Sequence, residues 1–204
     1  SNVRHGGQLS SPLAKHRTMA TKNASEYLMK SIQTSRLLLR NFSLEDAADL
    51  FDYLHEPRAS CFFSLRLEDM AAAHQEVSKR SNSDDTVAVC LRSTNQLIGD
   101  LFATRENDPD TFSVGWNFNA RFGGAGLATE AAQALFEYLF AGKDARRLFA
   151  YVEEDNVASQ RLCEKLGMRH EGTFKEFISF ENDSYGRPVF VNTRQYAILR
   201  KEWL

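Results

Sequence analysis

From Arg36 onward the chain switches between two apolar periods. "RLLLRNF", Arg36 to Phe42, is an apolar run of strand length. "SLEDAADLFDYL" follows, with Leu44, Ala47, Ala48, Phe51 and Leu54 spaced as one face of a helix. Ser43 predicts its N-cap, Asp46 is a capping-box partner three residues on, and Pro57 closes it. A second helix is predicted from Leu67 to Arg80, ended by the polar "SNSDD". The period then shortens. "DTVAVCLR" and "QLIGDLFATR" read as a hairpin and "DTFSVGWNFN", Asp110 to Asn119, as a third consecutive strand. A glycine-rich turn leads into a helix with Leu127, Ala131, Leu135 and Tyr138/Leu139 on one face. "RRLFAYVEE" predicts a strand, "NVASQRLCEKLGM" a helix, and "RHEGTFKEFISF" with "PVFVNTRQYAILRKEWL" a closing pair of strands. The expected fold is one mixed α/β domain over residues 34–204. It holds a central, mostly antiparallel sheet of about six or seven strands flanked by about four helices.

Composition changes this picture little. The 204 residues carry a net charge of −2, so neither nucleic acid nor an anionic membrane is called for as a partner. No apolar run approaches a membrane span. Cys61, Cys90 and Cys163 lack metal spacing and predict free thiols in a reducing cytoplasm, with no metal site. Residues 1–33 are polar and Ser-rich and are expected to be a leader or tag-derived segment outside the fold.

The candidate chemistry sits at "NARFGGAGLATEAAQALFEYLF", Asn119 to Phe140. Gly123, Gly124 and Gly126 between a strand and a helix N-terminus let an anion approach bare backbone N–H groups, with the helix dipole favouring it. Glycine in such a turn also serves geometry alone. No Lys-Ser/Thr follows Gly126, which argues against a nucleotide-hydrolysing loop, and Thr129 stands where a dinucleotide fingerprint wants Gly or Ala.

The stretch Arg121 to Gly126 fits Q/R-x-x-G-x-G/A, the acetyl-CoA pyrophosphate motif of the GNAT N-acetyltransferases. With "GLATEA", "NVASQRLCEKLGMRHEG" and "YAILRKEW", the chain resembles the RimJ/RimL-type branch, which includes ribosomal-protein N-terminal acetyltransferases, from about Thr34 to the C-terminus. The resemblance implies acetyl-CoA-dependent transfer to a protein N-terminus or small-molecule amine, in the cytoplasm, and is compatible with a homodimer. It implies that Arg121, Phe122, Gly123, Gly124, Ala125, Gly126, Leu127, Ala128 and Thr129 hold the cosubstrate's pyrophosphate. Trp116, Asn117 and Phe118 would line the thioester, with pantetheine bonded to the strand edge.

Asn156, Ser159 and Cys163 share a helix face. By the same resemblance Asn156 contacts pantetheine and Ser159 supplies the hydroxyl acid, because Cys163 stands where many relatives keep a Tyr. Asn156 would serve equally as an N-cap, and Cys163 as a small buried hydrophobe. Glu176 is the expected base, with Glu153 and Asp155 as alternatives; an α-amine, roughly a quarter neutral near pH 7.4, needs only a carboxylate acting through water. Glu130 is expected to favour the helix dipole. A non-catalytic CoA-binding module is the alternative reading. The acceptor is left to the segments Glu56–Arg66 and Glu181–Pro188, whose Phe62, Phe63 and Tyr185 suit either an aromatic pocket or a cover over the core.

Overall fold

The computed structural model describes residues 31–57 and 59–203, so the expected leader lies, up to residue 30, outside the described residues. The strands are β1 (Ile32–Gln33), β2 (Leu37–Arg40), β3 (Thr86–Leu91), β4 (Leu97–Arg105), β5 (Thr111–Phe118), β6 (Arg147–Glu153), β7 (Arg169–Asn182) and β8 (Pro188–Leu199). They form one mixed sheet in the order β1-β2-β3-β4-β5-β6-β8-β7, antiparallel throughout except for β5 with β6. The helices are α1 (Ala47–Leu54), α2 (Met70–Ser81), α3 (Leu127–Glu137) and α4 (Val157–Lys165). This is the mixed α/β architecture the periods predict, with the two-residue β1 as an added edge strand.

Side-chain parity along the strands splits the apolar residues into two cores, one on each face. Leu148, Ala150 and Val152 of β6 and Val114 of β5 pack with Ala131, Leu135 and Phe136 of α3 and Leu162 of α4. Ala88, Cys90 and Leu97 pack with Leu50 and Leu54 of α1 and Val77 of α2 on the other face. Phe136 is fully buried, so truncating it to Ala would cost about 3–5 kcal/mol.

Local chemistry explains two departures from the expected helices. The capping box of Ser43 and Asp46 forms, but Leu44–Asp46 wind as a 3-10 turn before α1 begins. Ala47 and Leu54 are buried and Phe51 packs against the same core, as the apolar stripe expects, but Leu44 in the 3-10 turn and Ala48 face solvent while Leu50 and Tyr53 are buried. α2 begins at Met70 because Asp69 caps it, accepting the Ala72 N–H at 2.8 Å.

The buried face of α1 carries a polar knot. Tyr53 Oη donates to Asp100 Oδ2 at 2.7 Å, and Arg80 Nη1 lies 3.2 Å from the same oxygen, an ion pair without hydrogen-bond geometry. Burial pushes the Asp100 carboxyl upward, against the pull of Arg80 and Tyr53.

Candidate functional site

β5 and β6 pair only at Thr111–Arg147, Phe112–Leu148 and Ser113–Phe149, and then diverge. β5 stays on β4 and β6 stays on β8, so the sheet opens between them. A cavity of about 350 Å³ occupies the opening. Its walls come from both faces of the sheet. Trp116, Asn156 and Ser159 line it on the α3/α4 side, and Cys61, Phe62 and Leu65 line it on the other. The last three belong to a 3-10 segment, Ser60–Leu65, that lies over β7.

The opening leaves backbone groups exposed along β5. The Asn119 N–H bonds to Ile98 O of β4 at 2.9 Å. Alternation therefore turns the N–H and C=O groups of Trp116 and Phe118 away from β4, into the opening. Asn117 is different. It pairs across from Asp100, so its side chain lies on the α1/α2 face, away from Trp116 and Phe118.

The glycine turn continues directly from that open strand. Ala120–Phe122 form a 3-10 turn capped by Asn119, whose Oδ1 accepts the Arg121 N–H at 3.0 Å. Gly124 (φ 80°) and Gly126 (φ 76°) then take left-handed conformations, and Gly126 is the N-cap of α3. The N–H groups of Gly124 through Thr129 find no hydrogen-bond acceptor among the described residues. A Cβ on Gly124 would meet nothing within 4 Å, so the space above these groups is clear. Six orphan donors, a helix N-terminus and clear space fit a pyrophosphate. The Arg121 side chain does not join them: it pairs with Asp52 of α1 at 3.0 Å, as does Asn119 Nδ2 at 2.7 Å. Asp52 thus pins the turn to α1, a role without a local signal in the sequence.

Glu130, in the first turn of α3, does more than favour the dipole. It accepts from Thr34 Oγ1 (2.5 Å), Ser35 Oγ (3.0 Å) and the Arg36 N–H (3.0 Å), and pairs with the Arg36 guanidinium at 2.7 Å. Desolvation pushes its carboxyl up, but the hydrogen bonds from Thr34, Arg36 and Ser35 outweigh that and hold it at about 2. Arg36 also donates to Ala125 O at 2.9 Å, tying the start of β2 to the turn.

Across the cavity, Asn156 caps α4 by accepting the Ser159 N–H at 3.1 Å, while still lining the cavity. The N-cap role is therefore observed, and it leaves the side chain in the cavity wall. Ser159 Oγ accepts from Trp116 Nε1 at 3.1 Å, which leaves its own hydrogen free to donate into the cavity. Cys163 is fully buried in the core, and burial pushes its thiol up to about 12.

The carboxylates sort themselves by strand position. Glu153 is 6% exposed and stands in the cavity wall at the end of β6, beside Cys61. Burial, then the Glu153 charge, push the Cys61 thiol up to about 12. From Glu153 and Asn156 a shallower recess leads to Asp155, Phe63 and Glu181. Glu176 is exposed, lies outside the cavity lining, and has φ 46°; its N–H donates to Asn192 Oδ1 at 3.0 Å. It sits in a bulge of β7, between the pairs Phe174–Thr193 and Ile178–Val191. Of the aromatics, Phe62 enters the cavity and Phe63 the recess, while Tyr185 is 82% exposed at the β7–β8 turn. Among the described residues no cluster of His, Cys, Asp or Glu is arranged to hold a metal, and no helix is long and apolar enough to cross a membrane.

Residues 36–169 match the family model described as acetyltransferase (GNAT) domain. YnaD, an uncharacterized N-acetyltransferase of Bacillus subtilis (strain 168), is 32% identical over 174 residues, 84% of this chain and 98% of that protein. The crystal structure of a GNAT-family acetyltransferase from Bacillus anthracis superimposes with a TM-score of 0.75 at 29% identity, covering 85% of this chain and all of that one. The fold is also similar to a ribosomal-protein-S5-alanine acetyltransferase from Vibrio fischeri (TM-score 0.66, 16% identity, 86% of this chain and 100% of that one).

Proposed function

The chain belongs to the GNAT acetyltransferases, and from that premise we propose that it transfers the acetyl group of acetyl-CoA to a primary amine by direct attack in a ternary complex. The observation that carries this reading is the opening between β5 and β6, bordered by unpaired strand edge and followed by the orphan N–H groups of Gly124 through Thr129. Those six groups would hold the pyrophosphate. The edge groups of Trp116 and Phe118, with Asn156, would hold the pantetheine arm as an added strand. The motifs "GLATEA" and "NVASQRLCEKLGMRHEG" support assignment to the RimJ/RimL-type branch.

When bound, acetyl-CoA supplies a thioester whose C–S bond breaks as the C–N bond to the acceptor forms. Glu153 lies in the cavity wall, and its carboxylate receives the proton of the acceptor ammonium through a water. We favour Glu153 over Glu176, which is exposed on the β7 bulge and lies outside the cavity lining. Ser159, its oxygen fixed by Trp116, would hydrogen-bond to the departing sulfur and pass on to it the second proton lost by the nitrogen, regaining its own hydrogen in the same transfer. A main-chain N–H turned into the opening, of Trp116 or Phe118, is the candidate donor to the carbonyl oxygen. Calorimetry with acetyl-CoA, then an amine screen that reads CoA release, tests the reading. Absence of acetyl-CoA binding would overturn it.

A further inference from the structure

Three exposed rings stand together beside the cavity. Tyr151 lies 5.5 Å from Phe177 and 6.1 Å from Phe174, centroid to centroid, and Phe174 and Phe177 are 5.0 Å apart. Their exposures are 46, 47 and 39%, so the cluster is not a core. The backbone is bent to build it. Residues three apart on a regular strand point to opposite faces, yet Phe174 and Phe177 both meet Tyr151. The β7 bulge reverses the parity between them, and it does so by holding Glu176 at φ 46°, a left-handed conformation that costs a non-glycine residue about 1 kcal/mol or more. The strain thus aligns three rings that stay about half exposed instead of closing a core.

Tyr151 belongs to this ring cluster and to the cavity wall at once. Glu153 follows it on the same face of β6, about 7 Å further along the strand, and Asp155 and Glu181 add negative charge at the adjoining recess. A cation drawn to Glu153 therefore has a flat apolar surface within the span of a two- or three-carbon linker.

Resting on the acetyltransferase reading, the geometry points to an acceptor of one chemical class: a small primary amine carrying an aromatic ring, with the ammonium at Glu153 and the ring against Tyr151, Phe174 and Phe177. The bulge at Glu176 is then a specificity element, and Phe177 is a binding residue for the acceptor ring.

The test compares phenethylamine with n-butylamine in a CoA-release assay on the full chain and on Phe177→Ala and Phe177→Leu. The expected result is a KM for phenethylamine at least tenfold below that for n-butylamine. Phe177→Ala should erase that difference with kcat little changed, and Phe177→Leu should keep part of it. Acetyl-CoA affinity by calorimetry should be the same in all three proteins, which also shows that the variants fold. Equal KM values for the two amines in the unaltered chain would overturn the inference while leaving the acetyltransferase reading intact. So would turnover restricted to non-aromatic acceptors, or a dimer in sedimentation that Phe177→Ala dissociates, because a second copy would then cover the rings. Loss of acetyl-CoA binding in the unaltered chain would instead sink the underlying reading, and the inference with it.

Discussion

Replacing Gly124 by Ala separates two consequences of one methyl group. At φ 80° the new side chain strains the backbone, which costs on the order of 1 kcal/mol of stability. Nothing lies within 4 Å of the new Cβ, so no clash adds to that cost in the free protein. The same methyl group occupies the space through which a phosphate must reach the N–H groups of the turn. Losing one hydrogen bond to a charged phosphate is worth about 1.5–3 kcal/mol, which raises the Kd for acetyl-CoA by about 10- to 100-fold. The chain contains its own control. Gly186, at φ 76° in the β7–β8 turn, also has nothing within 4 Å of a Cβ, and it lies away from the site. Gly186→Ala should lose a similar stability and no affinity. Thermal denaturation would measure the first quantity and calorimetry the second. Equal Kd values for the two variants would refute the assignment of the turn to phosphate and leave Gly124 with a purely geometric role.

Glu153→Gln should lower kcat by about 100-fold with acetyl-CoA affinity retained, whereas Glu176→Gly should retain turnover and gain about 0.5 kcal/mol or less in thermal unfolding, because relief of the positive-φ strain is partly offset by glycine's greater unfolded-state entropy. The reverse pattern would restore Glu176 as the base. Ser159→Ala should reduce kcat about tenfold and also destabilise the fold by about 1–3 kcal/mol, since the Trp116 N–H loses its acceptor; an unchanged kcat would remove Ser159 from the chemistry. Glu130 has a folded pKa of about 2, below its ordinary carboxylate value, so its contribution is present above about pH 4.5 and is lost as pH falls towards 2. Glu130→Gln should therefore flatten the stability profile across that window in denaturant titrations, and a parallel offset at every pH would contradict the linkage.

How much of this was written in the sequence depends on whether neighbours in the chain suffice. The turn from Asn119 to Gly126 and the helix after it are local, and their glycines and apolar period gave them away. Asn156 was legible for the same reason, as a cap and a cavity residue on one helix. The places of Glu153 in the cavity wall and of Glu176 outside it were not, because they depend on parity along β6 and on a bulge in β7 that no residue type announces. The spacing on α1 places Ala47, Phe51 and Leu54 against the core, but not Leu44, which the 3-10 start turns to solvent, nor the burial of Leu50 and Tyr53, which depends on how α1 packs on α2 and the sheet. Asp52 and Cys61 come to the site only through tertiary packing, of α1 on the turn and of the Ser60–Leu65 segment over β7.

The order of β7 and β8 governs when the cleft can be assembled during synthesis. β8, the final strand in the chain, lies between β6 and β7 rather than at the edge. Until Pro188–Leu199 has emerged, β7 has no partner and β6 lacks one of its two neighbours. The cleft wall carrying Tyr151 and Glu153 therefore cannot be set before β8 has emerged, and a chain cut after Asn182 would keep every motif in the glycine turn and α4 yet fail to assemble the acceptor side. Closure of the cleft therefore waits for β8.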